Sequence, residues 1–216
     1  MSEETRLRDD ICRMAKSLFD RGLTGGSSGN ISARLSDGRL LVTPTGTSFG
    51  SLDPARLSLF DADGHLASGD KPTKEMPLHA AFYETRPAKT GAVVHLHSCH
   101  SVALSMLPDV DPDNMLPPLT AYSIMKLGKV KLLPYFIPGD SAVGDAIRGL
   151  AGRRSAVMLA NHGPVVAAKD LEAAVYAVEE LEETAKLALL TRGMNPRLLN
   201  FAQVAEIVRT FDVEWD

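Results

Sequence analysis

Two histidines stand two residues apart in Val93-Val94-His95-Leu96-His97. Side chains on a strand alternate with a period of two, so His95 and His97 point to one face, with Val93 beside them. A third imidazole is available in Asn161-His162-Gly163-Pro164. Neutral imidazoles suit zinc, iron, nickel and copper, so His95, His97 and His162 form a candidate ligand set. Spacing alone equally admits two satisfied core histidines and a third in a turn. Other candidate chemistry lies in two loops. Gly25-Gly26-Ser27-Ser28-Gly29-Asn30 can bare backbone N–H groups to an anion, or serve only as a flexible connector. Thr43-Pro44-Thr45-Gly46-Thr47 offers hydroxyls and backbone donors after a strand, although turns favour these residue types anyway.

These groups need elements to position them. Gly91 to Val94 is apolar and partly β-branched, which predicts a buried strand running up to the His pair. Ala156 to Ala160 predicts a second buried strand, delivering Asn161-His162-Gly163, with Val165 to Ala167 returning as its hairpin partner. The two candidate anion loops are joined by one hairpin, Ile31–Leu35 and Leu40–Val42 around Ser36-Asp37-Gly38-Arg39, and should lie close together. Thr73 is placed to cap a helix bearing Leu78, Ala81 and Phe82 on one face. Glu75 then falls in its first turn, where the helix dipole favours a carboxylate.

An amphipathic helix is predicted from Glu3 to about Gly22, and the longest from Asp170 to about Arg192. In the latter, the cluster Glu179, Glu180, Glu182 and Glu183 reads as a solvated face. Asn200-Phe201-Ala202-Gln203 has the form of a capping box for a last helix ending near Phe211. Residues 108–118 read as loop, and residues 121–125 show no clear period. Tyr122 is undecided on pattern between a core residue and a hydroxyl donor. His65, beside the Asp63-Gly64 turn, reads as exposed.

The chain has 216 residues, a formal charge of −4 and 44% hydrophobic residues. The length accommodates one sizeable domain, and with no repeat or linker, residues 1–216 read as one unit. The acidic balance argues against a nucleic-acid or anionic-membrane surface. Two cysteines, Cys12 and Cys99, exclude a disulfide scaffold and fit a reducing compartment. No apolar run approaches the ~20 residues of a membrane span, and the charged segment Met1–Asp10 has no secretory apolar region. A cytoplasmic enzyme or binding protein is expected.

Taken in order, Gly29-Asn30-Ile31-Ser32, Thr43-Pro44-Thr45-Gly46, Glu75 with His79 four residues on, His95-Leu96-His97 and Asn161-His162-Gly163 resemble the class II aldolase and adducin family over nearly the whole chain. The resemblance implies an α/β fold: one three-layer α/β/α domain on a mostly antiparallel central sheet, assembled as a homotetramer with active sites between subunits. It implies a divalent metal, with Zn2+ expected, on His95, His97 and His162, and Glu75 as acid/base. Gly29, Asn30, Thr45 and Gly46 would hold a substrate phosphate, and Tyr122 would reach into a neighbouring subunit's site.

Within the family, Thr73 and Lys74 stand where fuculose-1-phosphate aldolases carry two phosphate-binding serines. The segments Lys71–Pro77, Leu107–Asn114 and Tyr135–Asp140 look most like the 3-oxo-tetronate 4-phosphate decarboxylases. That likeness implies loss of carbon dioxide from a phosphorylated 3-keto sugar acid to give dihydroxyacetone phosphate through an enediolate, with Thr73 and Lys74 as further substrate contacts. Lys74 would position the carboxylate or the phosphate, or lie on the surface. The alternatives are a sugar-phosphate aldolase or epimerase of the fuculose- or ribulose-phosphate type, which would pass through the same enediolate, and a non-catalytic adducin-like interaction module.

Overall fold

Strand β5 (Ala92–His95) sends alternate side chains to opposite sides of the sheet, and both sides are covered. Val94 enters one core with helices α1 (Glu3–Asp20) and α6 (Leu171–Leu190); Val93 enters the other with α2 (Met76–Thr85) and α5 (Ala142–Arg148). Burial on both faces explains why β5 and its neighbours read as continuous apolar runs. The computed structural model describes residues 1–215.

The remaining strands are β1 (Asn30–Arg34), β2 (Leu40–Val42), β3 (Ser58–Phe60), β4 (Leu66–Ser68), β6 (Lys131–Leu133), β7 (Ala156–Leu159) and β8 (Gly163–Ala168). They form one sheet in the order β4-β3-β2-β1-β5-β8-β7-β6. Each described pairing is antiparallel except that of β6 with β7. With helices on both faces, this is the expected α/β/α sandwich on a mostly antiparallel sheet. His95 ends β5, inside the sheet, and His162 immediately precedes its neighbour β8. Cross-strand register sets Asn30 opposite His95 and Ser32 opposite Val93.

The other helices are α3 (Cys99–Ser105), α4 (Ala121–Leu127) and α7 (Phe201–Phe211). Residues 121–125 are helical despite their unclear period, because Thr120 caps α4: its Oγ1 accepts the Ser123 N–H at 3.2 Å. The capping box at Asn200 and Gln203 forms as the sequence predicts. Among the described residues no helix is long and apolar enough to cross a membrane.

Two local expectations need correction. Thr73 is not the N-cap of α2; Glu75 occupies that position, and Thr73 Oγ1 instead accepts the Glu75 N–H at 3.2 Å. Pro77 fits the start of α2, where a missing N–H costs little. Glu182 does not belong to a solvated face. It is buried, 7% exposed, and reaches α3.

Candidate active site and metal centre

β5 ends at His95, and the chain leaves the sheet through Leu96 to His97 before α3 begins. The His pair nevertheless converges as the period-two reading predicts, with the two Nε2 atoms 3.1 Å apart. His162 arrives from the β7–β8 turn, where Asn161 adopts a left-handed φ of 58°. Gly163 allows this turn to press on the His pair: a Cβ there would lie 2.0 Å from Leu96 O. The three rings then stand edge to face, with centroids 4.7 to 4.9 Å apart.

Glu75 completes the group. Backbone bonds from Thr45 N to Lys71 O at 3.0 Å and from Thr73 N to Thr43 O at 3.3 Å tie the 71–75 segment to the chain leaving β2. This places the carboxylate over the sheet, with Oε2 3.5 Å from His95 Nε2 and Oε1 3.3 Å from His162 Nε2. The His162 contact lacks hydrogen-bond geometry, so both ring nitrogens of this buried side chain remain without a hydrogen-bond partner.

The donor set fits a divalent cation. His95 Nδ1 lies 2.8 Å from Pro164 O, so it carries the proton and leaves the Nε2 lone pair free. One ligand atom from each of Glu75, His95, His97 and His162 lies within 4.8 Å of the others. Bonds of about 2.1 Å to a tetrahedral centre would set ligand atoms about 3.4 Å apart. The 3.1 Å between the Nε2 atoms of His95 and His97 is close to that spacing. A cation would also satisfy one of the two orphaned His162 nitrogens.

Electrostatics favour neutral His95 and His97 and a charged Glu75 carboxylate. Burial pushes His95 down to about 3, with the neighbouring His97 and His162 acting in the same direction. His97 is also lowered, chiefly by burial. Burial acts to raise the pKa of Glu75, but the His162 ring, the His95 imidazole and Asn30 Nδ2 outweigh it and hold the carboxyl well below its ordinary range.

A cavity of about 430 Å³ opens beside these groups. Its lining includes Gly29, Asn30, Thr45, Gly46, Thr73, Lys74, Glu75, His97 and His162. His95 is fully buried beneath it. The two candidate anion loops therefore meet at one opening, and among the described residues Lys74 is the only lysine or arginine in the lining. Tyr122 lies outside this lining and is 63% exposed. The side chain of Asn30 turns inward: Nδ2 donates to Glu75 Oε2 at 2.8 Å, and Oδ1 faces His79 Nε2 at 2.6 Å.

Sequence reasoning missed one supporting residue, Glu182, and left the role of a second, His79, open. Glu182 accepts from the backbone N–H groups of His100 and Ser101 at 2.8 and 2.9 Å, holding the start of α3 just beyond His97. Its signal was phase, since it follows Val178 by four and Val175 by seven on the buried stripe of α6. His79, fully buried, joins Asn30 to Ser32 and Tyr83. No spacing pattern announces that link, because it crosses from helix to sheet.

The sheet order, the covered faces and a cluster of three histidines and one glutamate beside a polar cavity define a class. The profile of the Class II Aldolase and Adducin N-terminal domain matches residues 9–189, and the chain belongs to that family. The 3-oxo-tetronate 4-phosphate decarboxylase of Cupriavidus necator is 49% identical over 100% of both chains. The L-fuculose phosphate aldolase of Escherichia coli K12 is 29% identical, over 97% of this chain and 95% of its own. The crystal structure of YgbL from Escherichia coli, a candidate aldolase/epimerase/decarboxylase, superposes with a TM-score of 0.92 at 46% identity, covering 95% of this chain and 99% of that one.

Proposed function

We propose that this chain is a 3-oxo-tetronate 4-phosphate decarboxylase, converting its substrate to dihydroxyacetone phosphate and carbon dioxide. The observation that carries the reading is the 49% identity to such a decarboxylase over the full length of both chains. The more distant relation to the fuculose phosphate aldolase, at 29%, weighs against the aldolase alternative.

In the reaction the C1–C2 bond breaks, carbon dioxide leaves, and the electron pair delocalises from C2 onto the C3 oxygen. His95, His97 and His162 are the residues we assign to a divalent metal, which we take to be zinc. Bound there, it supplies Lewis acidity for the charge developing on substrate oxygen. The residues do the rest. Glu75 lines the cavity beside His162, so this ionised carboxylate is our choice to relay a proton from solvent to C2. Gly29, Gly46, Thr45 and Thr73 are assigned to the phosphate, through backbone N–H groups and hydroxyls. Lys74, the cation of the lining, offsets the charge of a substrate bearing both phosphate and carboxylate. Asn30 is assigned to Glu75 in place of the phosphate, since its side-chain amide is already engaged.

We read residues 1–216 as one cytoplasmic domain acting as a homotetramer. The support for Tyr122 entering a neighbouring subunit's site is its exposure away from its own subunit's cavity. Incubation with 3-oxo-tetronate 4-phosphate, in parallel with fuculose 1-phosphate, tests the reading. Carbon dioxide and dihydroxyacetone phosphate should appear together from the keto acid. Aldehyde from the sugar phosphate, with no carbon dioxide from the acid, would replace decarboxylase by aldolase. Purified protein that binds no metal and turns over neither compound would favour an adducin-like module.

A further inference from the structure

A file of buried polar groups runs from Glu75 into the interior. Glu75 Oε2 meets Asn30 Nδ2 at 2.8 Å, Asn30 Oδ1 meets His79 Nε2 at 2.6 Å, His79 Nδ1 meets Ser32 Oγ at 2.8 Å, and Ser32 Oγ meets Tyr83 OH at 3.0 Å. His79 and Ser32 are fully buried, and the other three are under 10% exposed. No water can take over a missing partner cheaply in such a place, so each proton position has consequences.

Those positions follow from one fact. An ionised carboxylate only accepts, so Asn30 must turn its NH2 toward Glu75 and its oxygen toward His79. His79 must then carry its proton on Nε2 and present a lone pair at Nδ1. Ser32 must donate to that lone pair, which leaves its oxygen to accept from Tyr83. Every donor in the file points toward Glu75. The register that sets Asn30 opposite His95 and Ser32 two residues on, opposite Val93, builds this order into the β1–β5 pair. Burial agrees with the assignment, pushing His79 down to about 4, so that it stays neutral.

We infer that His79 is a positioning residue for Glu75: its Nε2–H tautomer, supported from behind by the Ser32 and Tyr83 hydroxyls, holds the Asn30 amide and thereby keeps Glu75 Oε2 occupied, leaving Oε1 as the oxygen offered to substrate. The inference rests on the reading of Glu75 as the proton carrier. A wrong tautomer would turn the Asn30 oxygen against the carboxylate and swing Glu75 out of line. Misplacement of about 1 Å costs on the order of 10²-fold in rate.

The test separates positioning from mere packing. His79→Leu should lower kcat by about 100-fold with KM held within about two-fold. His79→Gln, whose amide can both donate to Asn30 and accept from Ser32, should restore most of that loss. Tyr83→Phe, at the far end and nearly isosteric, should give a smaller fall in kcat than Ser32→Ala. His79→Leu with wild-type kcat, or Gln no better than Leu in folded protein, would overturn the inference. So would a rise in KM that accounts for the whole effect. Nitrogen-15 NMR of imidazole-labelled, substrate-free protein reads the tautomer without any turnover. An Nε2–H pattern for His79 that changes in Ser32→Ala supports the inference, and an Nδ1–H pattern in the wild type overturns it. Wild-type protein inactive on the keto acid would defeat the decarboxylase reading instead, and the NMR result would still decide the tautomer.

Discussion

Glu182 Oε1 accepts two hydrogen bonds from His100, one from its backbone N–H and one from its ring Nδ1, both at 2.8 Å. Its Oε2 accepts the Ser101 N–H at 2.9 Å. Burial acts to raise the Glu182 pKa, but these donors outweigh it and keep the carboxyl lowered. Ser98, the N-cap of α3, makes no side-chain capping bond, so Glu182 supplies the cap from another helix. Glu182→Ala should therefore destabilise the protein by about 3 kcal/mol, since it strands buried N–H donors. Urea unfolding would show this as a lower midpoint at constant slope. A midpoint within error of wild type would mean that solvent satisfies those N–H groups.

The orphaned nitrogens of His162 make the next expectation specific. His162→Ala and His95→Ala should each lose bound metal and activity together, measured by elemental analysis and turnover. Chelator-treated wild type should regain both when metal is returned. Because metal binds the folded state, it should also stabilise it, by about 2.7 kcal/mol at 100 times its dissociation constant. A chelator that leaves rate and melting temperature unchanged would remove the metal from the site.

Glu75 separates metal binding from proton transfer. Glu75→Gln preserves shape and keeps an oxygen in place, so the three imidazoles should retain the cation. Turnover should fall by about 10² to 10⁴-fold, the range for a lost general acid or base. Wild-type turnover in this variant would remove the proton-carrier assignment.

Parts of this site are legible in the amino-acid order and parts are not, for reasons that differ by residue. The convergence of His95 with His97 was legible because a strand period places both on one face, even though the strand itself stops at His95. The meeting of the Gly29 and Thr45 loops was legible because one hairpin joins them. Glu182 was obscured by its neighbours: an acidic run looks solvated unless its phase on the helix is followed. Asn30 was read as a phosphate contact because sequence gives a side chain's position, not its direction. Which way its amide faces depends on His79, which is 49 residues away in sequence and on the helix covering that face of the sheet.

His79 also gives a pH dependence of stability with a definite sign. Its pKa is about 4 in the folded protein, lowered from 6.5 chiefly by burial, with Glu75 opposing. Between those values the unfolded chain binds a proton that the folded protein refuses. Stability is therefore fully present above pH 6.5 and is lost as pH falls toward 4, by about 3 kcal/mol in total. His95 acts in the same direction when metal-free, so the comparison should be made at saturating metal. Glu182, a carboxylate, acts at lower pH. Urea midpoints measured from about pH 7 to 4 should fall for wild type and fall less steeply for His79→Gln. The difference in slope should reach about 1.4 kcal/mol per pH unit near pH 5, the value for one proton. Equal slopes in the two proteins would mean that His79 protonates freely within the fold, which is incompatible with its closed position between Asn30 and Ser32.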